Sequence, residues 1–496
     1  MTDWAAESLT VAADAVASGR TSSRGLLEAC LDRYDRLETS LHAFVELDRA
    51  AARKAADDAD HHMKHYGPLG SLHGVPLAHK DMYYRKGRVS SCGSRTMHDV
   101  VARETATVLQ RLDASGALEI GQLVMVEYAL GPHGYNANYP ACGNAWHPDY
   151  IPCGSSSGSG VAVAAGMAFA SLGSDTGGSI RCPATANGIV GLLPTNGRVS
   201  RAGVMPMSFS LDVVGPLART VRDCARILDV IAGADPRDPT ALDAGVPGYE
   251  AILGTPRRKP VIGVARGFFD AAIDSGLARL MDDAERTFAS LGFEVRDVAM
   301  PVSDLEAVSE LHPLVMKSEG AANHMNVMRA RPDDYTLEVY NRLQAGFFIP
   351  ACDYIQALKL RADFHASFVA KAFTDVDLLL TPAMRGPVPS RRATTGLQGK
   401  DYLNMVTALT QNTKVANYLG LPAITVPCGF TDNGLPAAIQ LIGPALAEPD
   451  LLHAAHVYER ATTWHTVTPT FVAGTLQQAS PEAAKLHDVS TANGVS

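Results

Sequence analysis

The segment Cys153–Ala184, CGSSSGSGVAVAAGMAFASLGSDTGGSIRCPA, concentrates residues able to do acyl-transfer chemistry. It opens with a serine–glycine run and continues through small apolar residues, Val161 to Ala170, that must pack tightly as a helix or a buried segment. Serines just ahead of such a helix sit where unpaired N–H groups and the helix dipole favour negative charge. The segment then reads GSDTGGS, where Gly177 and Gly178 allow close backbone approach to a ligand and aim successive N–H groups into one space. Ser179, directly after them, is placed to attack a carbonyl while that nest holds the resulting oxyanion. Two blander readings compete. A flexible Ser/Gly linker should not run straight into a buried apolar stretch. The common phosphate loop needs G-x-x-x-x-G-K-[ST], and no lysine lies in this segment. Taken alone, the glycine-rich loop leaves catalysis and a plain structural turn evenly matched.

An attacking serine needs a base. The nearest histidines in sequence, His133 and His147, fall in a turn-rich loop. Lysine is the other option, provided burial keeps it neutral. Lys80 ends the apolar strand GVPLAHK, where an ammonium is costly. From pattern alone, a strand-end lysine reaching out to solvent is the stronger reading.

Larger motifs change that balance. LHGVPLAHKD, the Ser/Gly run, LGSDTGGSIRCPA and NYLGLPAITVPCG stand in the order and form of the amidase signature family. The N-terminal LLEACLDRYDRLETSLHAFVELD and the later DLLLTPA match as well, so the chain resembles that family from about residue 5 to 465. The resemblance implies a Ser-Ser-Lys relay. Ser179 is the nucleophile, Ser155 (preceded by a cis peptide at Gly154–Ser155) is the proton shuttle, and Lys80 is the base. The N–H groups of Thr176, Gly177, Gly178 and Ser179 form the oxyanion hole. Asp175, Arg181 and Ser156 take supporting roles. No metal or other cofactor is implied. Two departures stand out: Cys153 and Ser157 occupy positions where the family usually has glycine. Cys182 stands where the related transamidosome subunit often has glutamine.

The activity implied is hydrolysis of a small, rather apolar carboxamide through an acyl-enzyme, with esters or carbamates as side substrates. The alternative is the glutamine-hydrolysing subunit of a tRNA-dependent amidotransferase. Against it stand Cys182 and the lack of a recognisable glutamine-gripping pattern. A catalytically dead scaffold is disfavoured because all three relay residues are present. Specificity is expected from the loop Gly131–Tyr150 and from region 300–360, including Phe347 and Phe348.

The rest of the sequence must position these groups. At 496 residues, 46% hydrophobic and 19% charged, it has ample material for a large core. A formal charge of −9 argues against direct nucleic-acid binding, which needs a basic face. The eight cysteines form no C-x-x-C pair, no long apolar span is present, and Met1–Arg20 has no signal-peptide layout, so a cytoplasmic protein is expected. Its partner is a small-molecule amide, with neither nucleic acid nor membrane, and the family likeness is compatible with a homodimer.

Short apolar runs at Val75–His79, Leu118–Val124, Leu378–Leu380, Ala423–Pro427 and Ala437–Ile442 alternate with helical stretches. That pattern predicts an α/β fold with a large mixed central sheet, helices on both faces and an embedded smaller lobe. The expected divisions are a helical region 1–70, the signature core 71–253, an embedded lobe or cap 254–375, completion of the core 376–475, and a disordered tail 476–496.

Overall fold

Serine ahead of an apolar helical period predicts a cap near residue 22. Ser22 fills that role: its hydroxyl accepts from the Gly25 N–H at 3.0 Å and opens the helix Ser23–Leu41. In the computed structural model of the chain, which describes residues 2–255 and 257–478, that helix packs beside a second N-terminal helix, Arg49–Tyr66. The expected tail lies outside the described residues from 479 onward, and residues 476–478 end the helix Thr470–Gln478. Among the described residues no helix is long and apolar enough to cross a membrane.

The strands are β1 (Phe44–Leu47), β2 (Pro76–Lys80), β3 (Leu118–Leu123), β4 (Ala170–Asp175), β5 (Val190–Leu193), β6 (Val213–Ala218), β7 (Ile262–Arg266), β8 (Val295–Ala299), β9 (Leu378–Pro382), β10 (Ala423–Phe430) and β11 (Pro436–Ile442). Eight of them form the central sheet in the order β4-β6-β5-β10-β11-β9-β7-β8. Pairing is antiparallel from β4 through β9 and parallel where β7 meets β9 and β8, so the sheet is mixed, as the pattern predicts. Every residue of β4, β6, β9 and β11 is buried, which explains their continuous apolar runs: both faces are covered.

The stretch 254–375 differs from the embedded lobe expected of it. Its strands β7 and β8 extend the central sheet through β9, because VIGVAR and VRDVA offer β-branched backbone to an otherwise open edge. What stands apart is a helical layer, chiefly Val302–Ala330 and Ala351–Ala372. The helical N-terminal region likewise contributes a strand, β1, to a second sheet ordered β1-β3-β2.

That smaller sheet brings Lys80 to the site. The Leu172 N–H donates to His79 Nδ1 at 3.1 Å, and Tyr83 Oη donates to the Gly173 carbonyl at 2.7 Å, tying the end of β2 to the edge strand β4. The helix Ser157–Ala165 is threaded just as closely. A Cβ on Gly158 would stand 2.3 Å from the Ala43 carbonyl oxygen, so only glycine lets this helix pass.

Candidate active site

Lys80 is 1% exposed, at the C-terminal end of β2. Its Nζ lies 2.7 Å from Ser155 Oγ and 2.8 Å from Ser174 Oγ, and among the described residues no carboxylate touches it. Burial pulls its pKa down to about 7, although the charges of Asp212 and Asp175 work the other way. Asp81, next in sequence, is turned elsewhere: its carboxylate accepts from Ser90 Oγ at 2.9 Å and from the Ser91 N–H at 3.0 Å. Near neutral pH a large share of Lys80 is therefore free amine, able to accept a proton from Ser155.

Ser155 and Ser156 are fully buried, and the Gly154–Ser155 peptide is cis. The Gly154 N–H donates to the Pro132 carbonyl at 2.8 Å, so the loop after Gly131 buttresses Ser155. Ser156 Oγ donates to the Ser174 carbonyl at 3.4 Å. Of the two departures from glycine, Ser157 donates its hydroxyl to the Val124 carbonyl at 3.3 Å, whereas Cys153 holds a left-handed φ of 55°. Cys182 is buried, its thiol pushed up to about 12 by burial, and its Sγ donates to the Leu409 carbonyl at 3.2 Å. Such a thiol is no nucleophile at neutral pH.

The Gly-Gly-Ser loop is pinned peptide by peptide. Asp175 and Arg181 are both at zero exposure and pair through Nε at 3.0 Å and a terminal nitrogen at 3.1 Å. Two further Arg181 donors go to Gln440 Oε1 and Asn417 Oδ1, each at 2.6 Å. Burial alone raises the Asp175 carboxyl, but Arg181 and the N–H groups of Ile180 and Gly178 overcome it and hold the group below its ordinary value. The Gly177–Gly178 peptide is held at both ends: Thr413 Oγ1 donates to its oxygen at 2.8 Å and its N–H donates to Asp175 Oδ1 at 2.5 Å. One of the four expected oxyanion donors, Gly178, is thus committed to Asp175, because a carboxylate is the stronger acceptor.

The two flanking peptides are held through their carbonyls. Their carbonyls bond His312 Nε2 at 2.8 Å (Thr176) and the Cys182 N–H at 2.7 Å (Gly178). Since C=O and N–H point oppositely across a trans peptide, the N–H groups of Gly177 and Ser179 turn away from these partners. Ser179 itself is half-buried. Among the described residues it forms no direct hydrogen bond to Ser155; the direct link present is Lys80–Ser155.

Sequence reasoning misses several residues here. Ser174, the second hydroxyl on Lys80, sits next to Asp175 on β4, and strand alternation sends the two side chains to opposite faces. Asp212 accepts from Thr176 Oγ1 at 2.6 Å. His312 comes from the long helix Val302–Ala330, where nothing in the local pattern marks it. Burial lowers its pKa to about 4, so it is neutral; as a carbonyl can only accept, Nε2 carries the proton. Region 300–360 therefore does reach the site, but not through Phe347 and Phe348. Those two are 44% and 78% exposed on a surface cavity of about 430 Å³ with Met325, Met328 and Tyr340. Among the described residues no group of His, Cys, Asp and Glu stands ready to hold a metal.

A fully buried lysine on two hydroxyls and a carboxylate-pinned Gly-Gly-Ser loop make up this site. The Amidase family profile matches residues 25–452. This chain belongs to the amidase family. Amidases of this kind are enzymes that hydrolyse amide C–N bonds, and the chain is one of them. The A-type subunit of the glutamyl-tRNA(Gln) amidotransferase of Pseudomonas syringae pv. syringae (strain B728a) is 35% identical over 478 residues, covering 92% of this chain and 97% of the relative. A chain of an inhibitor-bound vestigial protein complex, which bears on the evolutionary origins of an s-triazine catabolic enzyme, superposes with a TM-score of 0.85 at 30% identity, over 92% of this chain and 98% of that one. The peptide amidase PAM, solved with the competitive inhibitor chymostatin, gives a TM-score of 0.80 at 28% identity over 93% and 98% of the two chains.

Proposed function

We propose that this amidase is a stand-alone amidohydrolase that cleaves a small, rather apolar carboxamide through a Ser-Ser-Lys relay, with esters or carbamates as side substrates. The observation that carries the reading is the 2.7 Å contact between Lys80 Nζ and Ser155 Oγ in a site where Lys80 is 1% exposed. Neutral Lys80 takes a proton from Ser155, which takes one from Ser179 as that hydroxyl attacks the carbonyl. The second link forms on substrate binding, as catalytic hydrogen bonds commonly tighten only in the complex. Gly177 and Ser179 N–H groups, with Thr176, receive the oxyanion. The relay then returns the proton to the departing nitrogen, and water hydrolyses the acyl-enzyme at Ser179. His312, Asp175 and Arg181 are positioning residues: each holds the loop and none reaches the reacting carbonyl.

A second reading is supported by the 35% identity, across 97% of the relative's length, to the amidotransferase protein of Pseudomonas syringae. In it the same relay releases ammonia from glutamine for a partner protein. The two readings separate on the purified chain alone. A stand-alone amidohydrolase releases ammonia from simple primary amides without partners and prefers at least one of them to glutamine. Turnover confined to glutamine, and raised severalfold by a partner protein, overturns the first reading in favour of the second.

A further inference from the structure

The helical layer meets the relay at a second place, the loop Gly131–Tyr135. There two backbones lie together with no room for a side chain. A Cβ on Gly134 would stand 2.7 Å from the Cys153 carbonyl oxygen, and one on Gly154 would stand 2.9 Å from the Gly134 nitrogen and 3.1 Å from the Gly131 oxygen. The loop thus backs the Cys153–Gly154 peptide, whose N–H it also holds through the Pro132 carbonyl. His133 stands in the middle of the loop and is buried, and its Nδ1 accepts from the Tyr135 N–H at 2.9 Å. Because a backbone N–H can only donate, Nε2 carries the proton, and it donates to Glu338 Oε1 at 2.9 Å. Glu338 and Arg342 lie one turn apart on the helix Leu337–Gln344. Arg342 donates to the Leu130 carbonyl at 3.0 Å and to Tyr402 Oη at 2.5 Å, and Tyr402 Oη donates in turn to Glu338 Oε1 at 2.9 Å. Burial works against a charge on Glu338, but His133 and Arg342 hold its carboxyl down at about 2. The carboxylate is therefore a fixed anion that fastens one turn of helix to the loop behind Ser155.

We propose that His133 is a positioning residue for Ser155: tied to Glu338, it seats the Gly131–Gly134 backbone against the Cys153–Gly154 peptide and thereby keeps the Ser155 hydroxyl on Lys80. The proposal rests on the Ser-Ser-Lys reading and gives the helical layer a part in it. A hydroxyl that must hand one proton on while taking another has little tolerance for displacement, and a shift of about 1 Å can cost about 100-fold in rate. An exposed ion pair would fasten little, but here the imidazole is buried and both of its nitrogens are used.

The test follows fluorophosphonate labelling of Ser179, resolved into a maximal rate and a half-saturating concentration. His133→Ala should lower the maximal rate by about 10- to 100-fold and leave the half-saturating concentration within about twofold. Glu338→Ala should lower the rate by about three- to tenfold, and Glu338→Gln, which keeps an acceptor for Nε2, should restore it to within about twofold of wild type. In a Ser155→Ala background, slow but measurable at high probe concentration, His133→Ala should change the rate by less than about twofold, because the hydroxyl it positions is gone. Equal losses in both backgrounds overturn the inference, as does an unchanged maximal rate in His133→Ala or a Glu338→Gln enzyme as slow as Glu338→Ala. In each of these cases the relay reading stands. A Ser155→Ala enzyme that labels at the wild-type rate counts against the relay itself. If His133→Ala fails to fold, the two Glu338 variants carry the test alone.

Discussion

Two buried cations lie at this active site, and the protein treats them in opposite ways. Arg181, at zero exposure, is paired with Asp175 and spends two further donors on Gln440 and Asn417. Lys80, at 1%, is given two hydroxyls and, among the described residues, no touching carboxylate. Burial is the same; the partner differs. A buried cation with a counter-charge stays charged and serves as scaffold, whereas one with hydroxyls alone is free to lose its proton. Asp175 enforces the contrast. It lies close enough for its charge to be felt by Lys80, yet its oxygens are taken by Arg181 and the loop N–H groups.

The contrast breaks most sharply if Lys80 is given what Arg181 has. Ser174→Asp puts a carboxylate where Lys80 now finds a hydroxyl, and the lysine should then stay protonated through neutral pH. Amidase activity at about pH 7 should fall by roughly 100-fold or more, with the rising limb of the pH–rate profile displaced to higher pH, whereas Ser174→Ala should cost far less. An unshifted profile in Ser174→Asp would mean that Lys80 is not the titrating group.

The converse change removes the partner of Arg181. Asp175→Asn leaves a fully buried guanidinium uncompensated and should cost about 3–5 kcal/mol of stability, read by denaturant unfolding. If Asp175→Asn unfolds like wild type, the loop is held by other bonds and the scaffold assignment fails.

Lys80 also predicts a pH-dependent cost in stability. Its folded value is about 7 against an ordinary 10.5, so between these limits the unfolded chain takes up a proton that the folded chain refuses. The cost is absent well above pH 10.5, grows as pH falls, and is complete below pH 7. Lys80→Met should therefore gain on wild type by about 2–3 kcal/mol more near pH 6 than near pH 9. Parallel stability curves for the two proteins would show that Lys80 is not depressed.

The smallest effect belongs to a control without charge. Cys153 is as buried as Lys80 and precedes the Gly154–Ser155 pair, but its contribution is a left-handed φ of 55° and an apolar side chain packed with Ile151 and Cys182. Cys153→Gly relieves the backbone and opens a small gap, opposing effects of about 1 kcal/mol each. Stability should move by less than about 1 kcal/mol, and a larger loss would mean that the thiol holds the Ser155 segment in place.

Much of this contrast is legible in the sequence, for reasons that differ by element. Strands made of apolar runs declare themselves, so the pattern places β2, β3, β9, β10 and β11 within a few residues, although β5 and β6, buried throughout, go unplaced. It does not place β4, because the Ala-rich approach to that strand continues the apolar run of the preceding helix. The break is Gly166, whose φ of 76° ends that helix, and glycine at such a point is the available signal. Lys80, Ser155 and Ser179 belong to motifs that are recognisable along the sequence. His312 lies far from them along the chain and meets them only through the helical layer, and Asp212, although nearer, has no local pattern that marks it. The Gly178 N–H escapes sequence reasoning for a related cause: a glycine pair announces available donors, but only the folded loop reveals that Asp175 takes one.

The central claim, that Lys80 acts as a neutral base on the Ser155–Ser179 pair, can be tested without knowing the substrate. A fluorophosphonate phosphonylates an activated serine with loss of fluoride, so the second-order rate of labelling can be followed against pH and the adduct located by mass. Labelling should fall on Ser179 once per chain, rise with an ionisation near the Lys80 value of about 7, and level off at mildly alkaline pH. Lys80→Arg, which keeps its proton across this range, should lower the plateau by about 1,000-fold or more. A rate that climbs without a break to pH 10 or beyond, an adduct on another residue, or a Lys80→Arg enzyme keeping a tenth of the wild-type rate would contradict the account.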